Sequence, residues 1–213
     1  MIMVKKKEEQ MIETMAALKE QMAVLTDAVR ELTAAIERKK KSEKGKEKTW
    51  TENQTSQRKR FTTMSKVSSA LRDAYKMGLE KKARREKMKP RDLFKKLNKE
   101  CFDKEEVKWE KLMLSWGSVS EVRIKGAEMT EDGKVRVRYE STGREIEEGD
   151  VVIVCTVCEE TLRCRVTRGK MSDGEGIFGV PMDWEGEKLH IYAFAYSSEV
   201  DRFSKTTYWK MGD

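Results

Sequence analysis

The residues whose types and spacing suggest chemistry are few, and each group falls short of a complete site. Cys155 and Cys158 form a Cys-x-x-Cys pair, with Cys164 six residues on and Cys101 distant. Such a pair chelates a metal at a turn, but on a strand residues three apart face opposite sides of the sheet. No second pair and no suitably placed histidine completes a tetrahedral set, and a disulfide is disfavoured in a reducing interior. The cysteines are therefore expected to be buried and reduced, acting as small apolar residues. The single histidine, His190, excludes sites that need two imidazoles. It lies between apolar neighbours, and no nucleophile accompanies it. The stretch SDGEGIFG at 172–179 lacks the lysine and the strand–loop–helix context of a phosphate loop. No catalytic residue, metal ligand or cofactor is expected.

A second group has the charge to hold a polyanion: Arg58, Lys59, Arg60, Lys81, Lys82, Arg84, Arg85, Lys87 and Lys89, continued by Arg91, Lys95 and Lys96. Cations at this density neutralise phosphates, and the resulting affinity falls steeply with salt. They point around a whole helix, however, without an interleaved aromatic to stack a base and without a helix-turn-helix or RNP signature. Cations near a helix carboxy terminus also complement its dipole. A solvated helix end and a nucleic-acid contact both stay open.

A third group carries assembly rather than reactivity. Met11, Met15, Leu18, Met22, Leu25, Val29, Leu32 and Ile36 advance by alternating steps of four and three. This is an a/d heptad stripe, with Met15, Met22, Val29 and Ile36 at a. A period held at 3.5 residues favours a supercoiled seam over a face packed on the chain's own domain. Valine and isoleucine at a with leucine at d favour a parallel dimer. The flanks hold few charge pairs and include Thr26, Ala28, Thr33 and Ala35, which broadens the apolar face and keeps a trimer open. The stripe is expected to make a homo-oligomer, with a foreign helix as the other candidate partner.

Composition and periodicity indicate the elements that carry these groups. Of the 213 residues, 39% are charged and 38% apolar, against about 25% charged in an average domain, which argues against one core running through the whole chain. Residues 51–110 hold 18 Lys/Arg and 10 Asp/Glu, whereas 111–213 hold 15 and 19. Ten of the sixteen aromatic residues follow residue 110, so the core is expected there. No apolar run approaches the ~20 residues of a membrane helix. The opening MIMVKKKEEQ has no signal-peptide core, so a cytoplasmic location is expected.

The polar stretch 39–60 reads as a linker or a fraying helix end. From Phe61 a helical period returns, with Phe61, Met64, Val67, Leu71, Ala74, Tyr75 and Gly78 on one face. Pro90 forces an end nearby and starts a short helix. Beyond residue 118 the period becomes two. Strands are expected at 119–130, 134–141, 150–157, 161–168, 176–181, 188–196 and 206–211, separated by turns at 131–133, 141–143, 147–150, 172–176 and 184–187. In the 188–196 strand Leu189, Ile191, Ala193 and Ala195 face one way and His190, Tyr192, Phe194 and Tyr196 the other, as in a central strand. The expected fold class is α+β. Residues 1–44 form a coiled-coil oligomerisation helix, 45–110 a linker and basic helical region, and 111–213 an Ig/fibronectin-III-like β-sandwich of about seven strands.

Several segments recur in one order: QRKRF at 57–61, MKPRDLF at 88–94, KLMLSWGSVS at 111–120, DVVIVCTV at 150–157 and GVPMDWEGEKLHIYAFAYSSEVDRFSKTTYW at 179–209. They resemble a family of Bacteroidetes proteins of roughly 200 residues and unknown function. Thr51, Gln54, Arg58 and Phe61 follow the family's T-x-x-Q-x-x-R-x-x-F segment with one extra residue. Pro90, Arg91 and Phe94 match its PRNxF element, and Leu114, Ser115, Gly117, Ser118 and Ser120 its LSRGSLS element. Pro181, Trp184, Gly186, Leu189, His190, Ile191, Tyr192 and Phe194 match its terminal strand motif. The resemblance spans about residues 50–213 and implies a sandwich strand around His190. The family usually opens with a Gly/Ser-rich segment resembling phage and mobile-element structural proteins; here the heptad helix stands instead.

Together these readings point to a non-enzymatic structural, assembly or adaptor protein, oligomerised by its coiled coil and presenting a β-sandwich head to a protein partner. A phage or mobile-element structural component, located in a virion if phage-encoded, is the specific form implied by the resemblance. The alternative is a nucleic-acid-binding protein that uses the basic helices at 58–96.

Overall fold

The computed structural model describes residues 2–44, 50–143, 149–184 and 188–211; on the first helix it describes the side chains of Met15 and residues 18–38. The expected turns at 147–150 and 184–187, and Gly45, fall wholly or partly outside the described residues. The chain divides into two compact units, Met1–Thr51 and Glu52–Asp213.

The first unit is built on one helix, α1 (Ile2–Lys44). Good helix formers and the absence of Gly or Pro sustain its length. The described side chains of the heptad stripe, Met15 to Ile36, are 54–64% exposed. Met11 lies on α1, but its side chain is outside the described residues. Thr26 and Thr33 donate their hydroxyls to the carbonyls of Met22 and Val29 at 2.7 and 2.8 Å, which satisfies these polar groups within the helix.

The second unit opens with α2 (Glu52–Ala70) and α3 (Arg72–Arg85). Helical bonding crosses Leu71: its N–H donates to Val67 O at 2.9 Å, and the Tyr75 N–H donates to Leu71 O at 3.1 Å. The helix begins at Glu52, inside the stretch expected to be linker or frayed, because 52–60 is too polar to display an apolar period. Lys87, in the left-handed region at φ 53°, ends α3, and Pro90 then starts α4 (Pro90–Leu97). Burial begins at Met64 and continues through Val67, Leu71, Ala74, Tyr75 and Leu79. Phe61, expected on that face, is 59% exposed one turn before it.

Ten strands follow among the described residues: β1 (Phe102–Asp103), β2 (Glu106–Val107), β3 (Glu121–Met129), β4 (Lys134–Thr142), β5 (Val151–Cys158), β6 (Arg163–Lys170), β7 (Glu175–Gly179), β8 (Leu189–Ser197), β9 (Arg202–Phe203) and β10 (Thr207–Lys210). The seven longer ones occupy the segments where alternation and turn residues placed strands. The other three are two residues long, too short for a period to show. All pairings are antiparallel, in a small β1–β2 sheet, a β10-β8-β5-β6 sheet with β9 on β8, and a β3-β4-β7 sheet. The protein is thus of mixed α+β class.

The larger sheet is buried on both faces. Val152, Val154, Leu189, Ile191, Ala193 and Ala195 meet Val122, Val135, Val137 and Phe178 of the three-stranded sheet. On the opposite face Ile153, Cys155, Val157, Tyr192 and Phe194 meet Leu71, Leu79, Leu93 and Phe94 of the helices. The layers run helices, sheet, sheet. From Glu52 onward the helical region expected at 45–110 shares one unit and one core with the strands. The physical reason is that β5 and β8 carry apolar residues in both alternating registers, which demands cover on two sides.

Candidate functional site

Within the second unit, the segment between the helices and β3 is held by polar contacts that position the basic residues. Asn98 is buried at the end of α4; its Nδ2 donates to Phe94 O at 2.9 Å and to Met113 O at 3.0 Å, and its Oδ1 accepts from the Met113 N–H at 2.6 Å. Thr206 Oγ1 accepts from the N–H groups of Leu114 and Ser115 at 2.9 and 2.8 Å. Ser115 Oγ donates to Ser204 O, and the Trp116 N–H donates to Gly78 O at 3.2 Å. LSWGS is thereby strapped between α3 and the β9–β10 segment.

Much of the basic run is neutralised locally. Lys59 pairs with Glu105 at 2.8 Å, Lys82 with Glu86 at 3.1 Å, Arg84 with Glu80 at 2.8 Å, Lys96 with Glu86 at 3.0 Å, and Lys81 with Asp201. Arg60 donates to Lys99 O, and Arg58 is exposed on α2. Solvent screens pairs at the surface, so they neutralise charge more than they stabilise the fold. Hydrogen bonds from Lys96 and Lys82 hold the Glu86 carboxyl below its ordinary range, and those from Lys81 and Tyr196 do the same for Asp201. Arg85, Lys87 and Lys89 are exposed and belong to none of these pairs.

The strap brings an aromatic to this charge. A pocket of about 270 Å³ is lined by Lys82, Arg85, Trp116, Ser118, Arg202 and Phe203, among others. Lys82 Nζ lies 4.3 Å from the centroid of the Trp116 ring, which is 39% exposed. Arg202 donates to Ser118 Oγ at 3.3 Å, leaving most of its guanidinium donors for a ligand. The pocket thus combines two guanidiniums with an indole face, a set that can hold a phosphate beside a planar ring. The sequence pattern missed this site because Trp116 and Arg202 lie in other segments. Lys81 also lines it, whereas Arg58, Lys59, Arg60, Arg84, Lys87 and Lys89 do not.

The other groups singled out by type have structural surroundings. His190 is 2% exposed and stacks on Trp109 with ring centroids 4.6 Å apart. Its Nε2 is 3.2 Å from Glu159 Oε2 and its Nδ1 is 2.8 Å from the Tyr208 hydroxyl. Burial lowers its pKa despite the opposing effect of Glu159, so the ring is neutral at pH 7: Nε2–H donates to the carboxylate and Nδ1 accepts from Tyr208. Cys155 faces the helices and Cys158 the opposite sheet, so the Cys-x-x-Cys pair straddles β5 and cannot chelate together. Among the described residues no group of three or more His, Cys, Asp or Glu is placed to hold a metal ion, and no helix is long and apolar enough to cross a membrane. Comparison with known protein families and with curated proteins finds no match.

Proposed function

We propose that this chain is a non-enzymatic assembly or adaptor protein in which α1 joins copies and the Glu52–Asp213 unit is the recognition head. The observation that carries this is the heptad face of α1: from Met15 to Ile36 its apolar side chains stand exposed on a 43-residue helix. A heptad seam of that length is matched by the seam of another helix, which removes its apolar surface from water. Joining several heads then raises avidity without a new contact. The head's two facing sheets, β3-β4-β7 and β10-β8-β5-β6, support a fibronectin-III-like order, with the helices as an added layer. A structural component of a phage or mobile element is the specific form consistent with the family resemblance of residues 50–213.

Light scattering after size exclusion in high salt tests the assembly. The full chain is expected at two or three times 24.8 kDa. The double variant Leu25→Asp with Leu32→Asp is expected at one times that mass, with its strand circular dichroism unchanged. A monomeric parent protein, or loss of the head's fold together with the oligomer, would refute this division of labour.

A second reading is favoured by one specific observation, the Trp116 pocket flanked by Arg85 and Arg202. It makes the head a binder of single-stranded nucleic acid, with a phosphate on the guanidiniums and a base on the indole. Affinity for a labelled oligothymidylate should fall steeply between about 50 and 200 mM salt, and by about tenfold or more in Arg85→Gln with Arg202→Gln. Salt-insensitive binding, or equal affinity in the double variant, counts against it.

A further inference from the structure

Cys164 and Cys155 form a pair that the sequence spacing did not reveal. In the β5–β6 register Cys155 lies opposite Val166 and Cys164 opposite Val157, so the two cysteines are diagonal neighbours on the helix-facing side of the sheet. Their sulfurs are 3.1 Å apart. A disulfide requires about 2.0 Å, so closure asks for an approach of about 1 Å. β6 is the edge strand of its sheet, paired only with β5 among the described strands, which leaves it the freer partner to make that shift. Both thiols are free.

The surroundings differ in a way that assigns roles. Cys155 is fully buried, and burial pushes its thiol well above the ordinary value. Cys164 is half-buried and opens onto a groove of about 420 Å³ between α2–α3 and β6, lined by Asp73, Met77, Arg165 and Arg168 among others. Arg165 and Arg168 are exposed, and Arg168 reaches toward Met77 Sδ at 3.3 Å. Arg168 lies on the same face of β6 as Cys164 and offers a guanidinium to an anionic reagent in the groove, whereas Arg165 alternates to the opposite face of the strand.

We propose that Cys164 and Cys155 are a redox-reactive dithiol, with a small anionic disulfide of the glutathione type as the oxidant. The Cys164 thiolate attacks the reagent's disulfide; a bond forms between Cys164 Sγ and one reagent sulfur, the reagent's sulfur–sulfur bond breaks, and one reagent thiol departs. Cys155 then attacks Cys164 Sγ, displaces the second reagent thiol, and gives up its own proton to that leaving group. Two protein thiols are oxidised and one reagent disulfide is reduced to two thiols. The product ties edge strand β6 to β5 beneath the helices, a modification independent of oligomerisation and of the Trp116 pocket.

The test treats the folded full-length protein with oxidised glutathione and maps thiols by peptide mass spectrometry. The expected result is one Cys155–Cys164 crosslink, with Cys101 and Cys158 still free. Cys155→Ser should instead accumulate a glutathione adduct on Cys164, and Cys164→Ser should give neither product. Reaction with glutathione disulfide should exceed that with neutral hydroxyethyl disulfide severalfold, an advantage lost in Arg168→Gln. Four free thiols after prolonged treatment, a crosslink through Cys101 or Cys158, or no adduct in a folded Cys155→Ser protein would overturn the assignment. An unchanged preference in the arginine variant would overturn the anionic class of the oxidant.

Discussion

A fragment of residues 111–213, which contains every strand of the two larger sheets, is expected to aggregate or to bind a hydrophobic dye as a loose globule, whereas residues 50–213 should unfold cooperatively as a monomer. Without α2–α4 the fragment exposes Ile153, Val157, Tyr192 and Phe194 together with Cys155. At about 1.5–3 kcal/mol for each of those four large side chains, the loss is on the order of 6–12 kcal/mol. That is comparable with the whole stability of a domain, about 5–15 kcal/mol. Tyr192 also loses the Trp109 carbonyl to which its hydroxyl donates at 2.9 Å. Size exclusion and urea unfolding of the two fragments decide the matter. A monomeric, cooperative 111–213 fragment would mean that the helices are an accessory layer and that the two larger sheets are complete without them.

The next largest effect is expected from a single methyl group. A Cβ at Gly117 would overlap the carbonyl oxygen of Phe203 and stand 2.6 Å from its carbonyl carbon. Backbone cannot turn aside as a side chain can, and this carbonyl also accepts the Val119 N–H at 3.2 Å while Phe203 pairs with Tyr196 of β8. Gly78 is similarly confined, since a Cβ there would lie 2.6 Å from Ser115 Cβ and 2.7 Å from Ser115 Cα. Gly117→Ala should therefore cost about 3 kcal/mol or more by overpacking. With a urea slope of about 1–3 kcal/mol per molar, the midpoint should fall by about 1 M or more. Gly179→Ala is the control, because a Cβ there meets nothing within 4 Å. The same Gly117 variant should weaken oligonucleotide binding, because moving the strap displaces Trp116 and Ser118 from Arg202. Equal midpoints for the two variants would show that the strap yields easily.

Both outcomes turn on how the helices meet the sheet, and this divides what was legible along the chain from what was not. The seven longer strands were readable because alternation and Gly-containing turns are local signals, expressed within eight or nine residues. The buried stripe from Met64 to Gly78 was readable for the same reason, as were the opposite faces taken by Cys155 and Cys158. The continuous apolar character of VVIVCTV and LHIYAFAY already required two covered faces, but no local pattern says what provides the second cover. The 18 Lys/Arg in residues 51–110 left a solvated helix end and a nucleic-acid contact both open, and the apolar residues between those cations are enough to close a core. The Trp116 pocket and the Cys155–Cys164 pair went unseen because their members are joined by strand register and by a strap held through Asn98, Gly117 and Thr206. Periodicity reports which face of an element is apolar. Which faces meet, and which distant side chains that meeting brings within reach, is set by long-range packing.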